Sequence, residues 1–319
     1  MTQTSPAAAR QLDAIPVHRK SLSQRLRENW QLYVMLLIPV VLTIVYKYWP
    51  MYGIQIAFRD FKASRGITGS EWVGLYWFER FFTAPNCVRM IKNTVLLSLY
   101  SLLWSFPIPI ILSLMLNEVK SPGRKKFAQT VLYAPHFISE VVVVGMLFIF
   151  LSPTSGIVNI GLGKLGVQAV NFLAEPSMYK HLYVWSGVWQ GAGWGSIIYI
   201  AALSAVSPEL YEAARIDGAS KFQQIVHIDF PSILPTATIL LIMNAGSVLS
   251  VGFDKAFLMQ NDLNMSTSEI IATYVYKMGL RNSQYAVSTA VNLFNNLINF
   301  GLLLLVNCIT RKLGETSLW

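Results

Sequence analysis

Charge is scarce in this sequence. Only 13% of its 319 residues are Asp, Glu, Lys or Arg, while 54% are hydrophobic; an ordinary soluble domain carries about 25% charged residues. Several apolar runs approach the roughly 20 residues that cross a bilayer, which excludes a soluble domain and predicts an integral membrane protein. Cysteine is nearly absent. Cys87 and Cys308 fall towards opposite membrane faces on the topology below and in no ligand spacing, so neither a disulfide nor a metal centre is expected. No G-x-x-x-x-G-K-[ST] phosphate loop occurs, so the chain cannot bind ATP in the usual manner. No catalytic triad, paired-carboxylate site or metal cluster stands out. The formal charge of +9 invites a nucleic-acid reading, but the basic residues are scattered without a stripe. Binding anionic lipid and setting topology are the uses left to them.

What is present is apolar length. The runs place six spans at 31–49, 93–116, 127–151, 181–206, 232–253 and 284–310. A polar tail over 1–30 precedes a single membrane domain over 31–319, whose core is about 90–310. Pro107 and Pro109 predict a kink in the second span. Lys120, Arg124, Lys125 and Lys126 crowd the loop after it, which argues for the cytoplasm; elsewhere Lys and Arg divide almost evenly. The loop over 50–91 holds Trp72, Tyr76, Trp77, Phe78, Phe81 and Phe82, for which interfacial anchoring is a sufficient reason. The loop over 152–180 is expected to hold a short helix or re-entrant turn.

The densest local signals lie in 207–235, SPELYEAARIDGASKFQQIVHIDFPSILP. Ser207 suits an N-cap, Pro208 the first helical position, and Glu209 the positive end of the helix dipole. Gly218 suits a left-handed stop. Ser220 with Gln223 reads as a capping box opening a second short helix, apolar at Phe222, Ile225 and Val226. Pro231 and Pro235 are expected to end it. Glu212-Ala213-Ala214, Asp217-Gly218-Ala219 and Ile228-x-x-Pro231-x-x-x-Pro235 together resemble the EAA loop of ATP-binding-cassette importer permeases. Their spacing is that of the maltose-permease-like, sugar-importing branch, with Phe230 where leucine is more usual. Gly53-Ile-x-Ile-Ala-Phe and Gly69-Ser-x-Trp72-Val-Gly-Leu are similar to the polysaccharide-type subgroup.

The resemblance implies an all-α type I importer permease fold with six transmembrane helices. It makes 207–235 a cytoplasmic coupling loop, seated on an ATPase through Glu212, Ala213, Ala214, Asp217, Gly218 and Ala219. The implied partners are a second, non-identical permease, two ATPase subunits that bind ATP and Mg, and an extracytoplasmic solute-binding protein. The implied setting is a bacterial inner membrane with both termini cytoplasmic, and no cofactor in this chain. The implied cargo is an oligosaccharide or polysaccharide, an acidic polymer such as alginate being the single best expectation. The alternative is an ion-coupled transporter or channel; a membrane assembly protein is a third reading.

Polar groups within the spans are the candidate pathway. Asn292, Asn295, Asn296 and Asn299 recur at helical spacing in the last span, where they can bond sugar hydroxyls or serve as interhelical glue. Gly187, Gly191 and Gly195 form a ridge of small residues that invites another helix. Trp185 and Trp189 flank the ridge and can stack on sugar rings, although packing and interfacial anchoring are the commoner fates of membrane tryptophans. Gln190, Asn244, Ser247 and Ser250 complete the candidate lining. His136 and Glu140 stand four residues apart in the third span, either a local structural pair or an ionisable functional site.

Overall fold

The computed structural model describes residues 24, 27–250 and 252–312. Arg10, Arg19, Lys20 and Arg25 of the expected tail, and the chain beyond residue 312, lie outside the described residues. Among the described residues, four helical runs are long and apolar enough to cross a membrane: Trp30–Phe58, Cys87–Asn117, Lys221–Ala245 and Tyr285–Lys312. A fifth arises if the bent pair Pro122–Phe137 and Glu140–Phe150 counts as one. The expected fourth span falls on a helix of 29 residues, Pro176–Ser204, about 43 Å long at 1.5 Å per residue. Its many Trp, Tyr and Gly residues make it less apolar than the other runs.

The chain separates into two units, Met1–Ile54 and Gln55–Trp319. In the first, α1 (Trp30–Thr43) buries none of its residues and is apolar on every face, the pattern of a helix made for lipid. A π turn, Ile44–Tyr48, continues it.

The second unit opens with a two-strand ladder, β1 (Arg59–Asp60) antiparallel to β2 (Glu71–Trp72), and then α2 (Tyr76–Phe82). Phe58 stacks on Trp72 at 5.5 Å, and the Trp77 indole donates to the Arg59 carbonyl at 2.9 Å. The aromatics of this loop therefore divide. Phe81 is buried in a core with Met90, Val287 and Val291, whereas Tyr76 and Phe82 stay exposed.

α3 (Cys87–Ser105) and α4 (Pro107–Asn117) form one run interrupted at Phe106, where Pro107 brings no N–H. The expected continuous third span is not found. α5 (Pro122–Tyr133) passes through a 3₁₀ turn, Ala134–Phe137, and α6 (Glu140–Phe150) then leaves at 96°. The cause is local: Pro135 withholds a donor, and Ser139 caps a new helix by accepting from the Val142 N–H at 3.4 Å. After α7 (Ile157–Lys164) comes α8 (Pro176–Ser204). Tyr179, Tyr183, Val184 and Val188 of α8 lie in one buried cluster, and its Tyr199 and Leu203 lie in another with Ile233.

α9 (Pro208–Ile216) and α10 (Lys221–Gln224) precede a π turn, Ile225–Asp229, and α11 (Phe230–Ala245). Here the expectation that Pro231 and Pro235 end the second short helix is overturned. The helix runs on, because the π turn leaves Pro231 in the first turn of α11, where its missing N–H costs little, and Pro235 is carried inside the helix. The fifth span stops at Ala245 rather than 253, in turns over 246–249. α12 (Phe253–Met259), α13 (Met265–Ser268) and α14 (Ile271–Tyr276) lead to α15 (Tyr285–Lys312). Asn93 of α3 donates to the Ser266 and Glu269 carbonyls, and Glu269 pairs with Arg89 at 3.5 Å and Lys277 at 3.6 Å. Cys87 is buried, Cys308 is exposed, and both are free thiols.

The glycine ridge of α8 does not receive one helix along its length. Gly187 faces Lys255 Nζ, Gly195 faces Pro109 of α4, and Gly191 opens onto empty space. The tightest approach is at Gly193, where a Cβ would intrude on the Leu132 carbonyl of α5. Gly193→Ala should therefore destabilise the fold by about 1–3 kcal/mol. Detergent thermal melts, with Gly191→Ala as the roomy control, check this; equal melting of the two variants would refute it.

Candidate functional site

Two places in the second unit gather chemistry. The first is the loop from 207 to 229. Ser207 caps α9 by accepting from the Glu209 N–H at 3.3 Å, with Pro208 at the first position. At the other end Gly218 takes φ +76°, its N–H bonding the Arg215 carbonyl at 3.2 Å while the Ala219 N–H bonds the Ala214 carbonyl at 2.8 Å. These two bonds make a complete Schellman stop. Ser220 and Gln223 then close a reciprocal capping box. The result is a braced helix–turn–helix. Glu212, Ala213, Asp217 and Gly218 are exposed and Ala214 and Ala219 half-buried; Ile216 is 87% and Phe222 73% exposed.

Beneath that exposed face lies a latch that sequence reasoning does not reach. Asp229, wholly buried in the π turn, accepts the Tyr211 hydroxyl of α9 through Oδ1 and meets the Asn117 amide of α4 at 3.5 Å. Burial, and then the bond to Asp229, push the Tyr211 phenol up to about 12, so it remains a donor. Lys221 adds an ion pair to Glu118 at 3.1 Å. A polar residue amid the apolar residues before Pro231 is the available signal.

The second place is a pair of adjoining cavities, of about 380 and 180 Å³, which share Ser101, Ser105 and Tyr183. The larger adds His136, Glu140, Gln190 and Lys255; the smaller adds Ser98, Asn244, Ser247 and Ser250. Ser98, Ser101 and Ser105 occupy one face of α3, a hydroxyl stripe that escapes notice because serines in an apolar run look unremarkable. By sequence Lys255 belongs to an exposed loop, yet it is 4% exposed, donating to the Tyr183 carbonyl at 2.9 Å with its ammonium 5.1 Å from that ring's centre.

The expected His136–Glu140 geometry fails because the helix breaks between them. Both face the larger cavity, but His136 stacks flat on Trp194 at 4.5 Å while Glu140 opens α6. Gln190 repairs the break, its Nε2 donating at 2.8 Å to the Ile138 carbonyl that is set free there. Trp185 and Trp189 lie away from the polar cavities, in an apolar crevice with Val143, Met146 and Leu147, and Trp185 packs on Trp104 at 4.8 Å.

The asparagines of α15 do not present a single face. Asn295 and Asn299 are buried, whereas Asn292 and Asn296 are exposed. Asn299 accepts from the Leu249 N–H at 2.9 Å and donates to Ser250 Oγ at 3.0 Å; Asn295 reaches the Leu249 carbonyl at 3.4 Å. These two bond the turn that ends the fifth span. Their helical spacing could not reveal that the neighbouring backbone unwinds there.

Comparison with known proteins places these features. Residues 82–314 match the family described as binding-protein-dependent transport system inner membrane component. The polygalacturonan/rhamnogalacturonan transport system permease YteP of Bacillus subtilis is 41% identical over 320 residues, covering 99% of this chain and 100% of that protein. The crystal structure of a bacterial ABC transporter involved in import of the acidic polysaccharide alginate contains a chain that is 38% identical, with a TM-score of 0.85 over 92% of this chain and 99% of that one. A chain from the alginate transporter in complex with its pentasaccharide-bound periplasmic protein gives 0.86 at 38% identity, over 94% of this chain and 100% of that one. The chain thus belongs to the family of inner-membrane components of binding-protein-dependent transport systems and has the type I ABC importer permease fold.

Proposed function

We propose that this chain is one of two permease subunits of an ATP-driven importer for acidic polysaccharide fragments. The observation that carries the reading is the braced loop at 207–224, which holds Glu212, Asp217 and the apolar Ile216 and Phe222 exposed among the described residues. It suits docking on a cytoplasmic ATPase, which binds ATP and Mg in this chain's stead. A second, non-identical permease supplies the other half of the pathway, and an extracytoplasmic binding protein delivers the cargo. Both termini face the cytoplasm of a bacterial cell, and this chain performs no catalysis itself. The alginate and polygalacturonan systems to which the chain is similar support the choice of an acidic polymer.

Closure of the ATPase dimer on ATP draws the coupling loops together and turns the helices outward; hydrolysis resets them. The test is uptake by the complete complex in proteoliposomes, comparing alginate and galacturonate oligomers with neutral glucans of equal length. Uronate-stimulated, ATP-dependent uptake is expected. Uptake driven by a proton gradient without ATPase subunits would overturn the importer reading, and a preference for neutral glucans would overturn the substrate class.

A further inference from the structure

We propose that Lys255 is the carboxylate-recognising residue of a uronosyl subsite in the larger cavity, and this rests on the acidic-polysaccharide reading above. An ammonium has three N–H donors. Among the described residues, that of Lys255 bonds one acceptor, the Tyr183 carbonyl, although the side chain is only 4% exposed. Buried cations are ordinarily paired and hydrogen-bonded. Glu140 lines the same cavity, yet no ion pair joins it to Lys255 among the described residues. A second group waits there as well. Among the described residues Ser101 Oγ is shut off from solvent without a hydrogen-bond partner, and Ser101 lines the same space. At about 380 Å³ the cavity falls in the range of small-ligand sites. A sugar carboxylate would take the open donors of Lys255, and ring hydroxyls would meet Ser101 and Ser105.

Glu140 completes the logic. With the cavity empty its charge offsets that of Lys255, and with a uronate bound it repels the cargo. Passage through a membrane requires binding strong enough to admit the cargo and weak enough to let it go. The two side chains therefore act in opposite senses on one ligand.

The experiment measures equilibrium binding of trigalacturonate and its trimethyl ester to the complete complex in nanodiscs, without binding protein and without ATP. The ester keeps the shape and removes the charge. Lys255→Met is expected to weaken binding of the acid roughly ten-fold or more, as loss of a charged hydrogen bond implies, while the ester changes less than about two-fold; Lys255→Arg should largely restore the acid. Glu140→Gln is expected to tighten the acid and leave the ester alone. Equal losses for acid and ester, or no binding of the acid by the unaltered complex, would overturn the subsite. Should Lys255→Met fail to assemble, Glu140→Gln decides: an unchanged acid affinity overturns the proposal. These outcomes are separate from failure of the substrate reading, which would appear as a preference of the unaltered complex for neutral glucans in uptake.

Discussion

Gly218→Val is expected to lower substrate-stimulated ATP hydrolysis and uptake in the reconstituted complex about five-fold or more, while the chain still inserts in the membrane. Gly218 sits at φ +76°, where a side chain strains the backbone by about 1–2 kcal/mol, more for a β-branched residue. Nothing lies within 4 Å of the added Cβ, so the damage comes from the backbone and not from a clash. The Schellman bonds to Arg215 and Ala214 cannot both close once φ turns negative, and α10 is then aimed away from its seat. A shift of this size changes the population of the native turn roughly 5–30-fold. Gly218→Asn separates strain from any other cause, because asparagine tolerates the left-handed region, and it should recover most of the activity. Glu212→Lys reverses an exposed charge at the proposed ATPase contact and is expected to fail by another route, with the turn intact. Wild-type uptake by Gly218→Val at equal complex yield would mean that this loop does not carry the stroke.

The second large effect concerns the latch under the loop. In Tyr211→Phe the buried Asp229 keeps, among the described residues, only its long contact to Asn117, and hydrogen bonds to charged groups are worth about 1.5–3 kcal/mol. The exposed face of α9 is untouched, so the ATPase subunits should stay bound and hydrolyse ATP. What should fall is the sugar moved per ATP, by about five-fold or more if the latch carries a coupling free energy of ordinary size. Asp229→Ala removes the same link from the other end and should add little to Tyr211→Phe in the double variant. An unchanged transport ratio in both single variants would show that the latch only stabilises the fold.

Both effects hang on features of unequal legibility. The caps of the loop can be read from sequence because Ser207, Pro208, Gly218, Ser220 and Gln223 act on backbone groups two to five positions away, and local geometry needs no partner. The apolar runs are legible for a similar reason, since crossing lipid requires length and little else. The third span reads as continuous although Pro135 and Ser139 both signal a break, because the apolar residues on either side of His136 and Glu140 together have the length of one span. The cavity is hardly legible at all. Lys255 looks like a surface residue because its burial depends on Tyr183, 72 positions away, and the serines of α3 acquire meaning only when α8 and α12 face them. The asparagine stripe has the right spacing and an incomplete interpretation, because the turn at Leu249 that claims Asn295 and Asn299 belongs to a different span.

The break at Ile138 carries a consequence for hydration. In a bilayer a backbone carbonyl released from its helix must find a donor within the protein or in trapped water. Here a single amide, Gln190 Nε2, supplies it, and Gln190 also lines the larger cavity. Any motion that parts α6 from α8 must replace that amide, and a water in the cavity is the substitute at hand, nearly as good a partner as the amide itself. A wet cavity would therefore ease bending at the broken helix, and cargo that expelled the water would oppose it. The same few hundred cubic ångströms that would hold a sugar thus also set how freely the helix around it can bend.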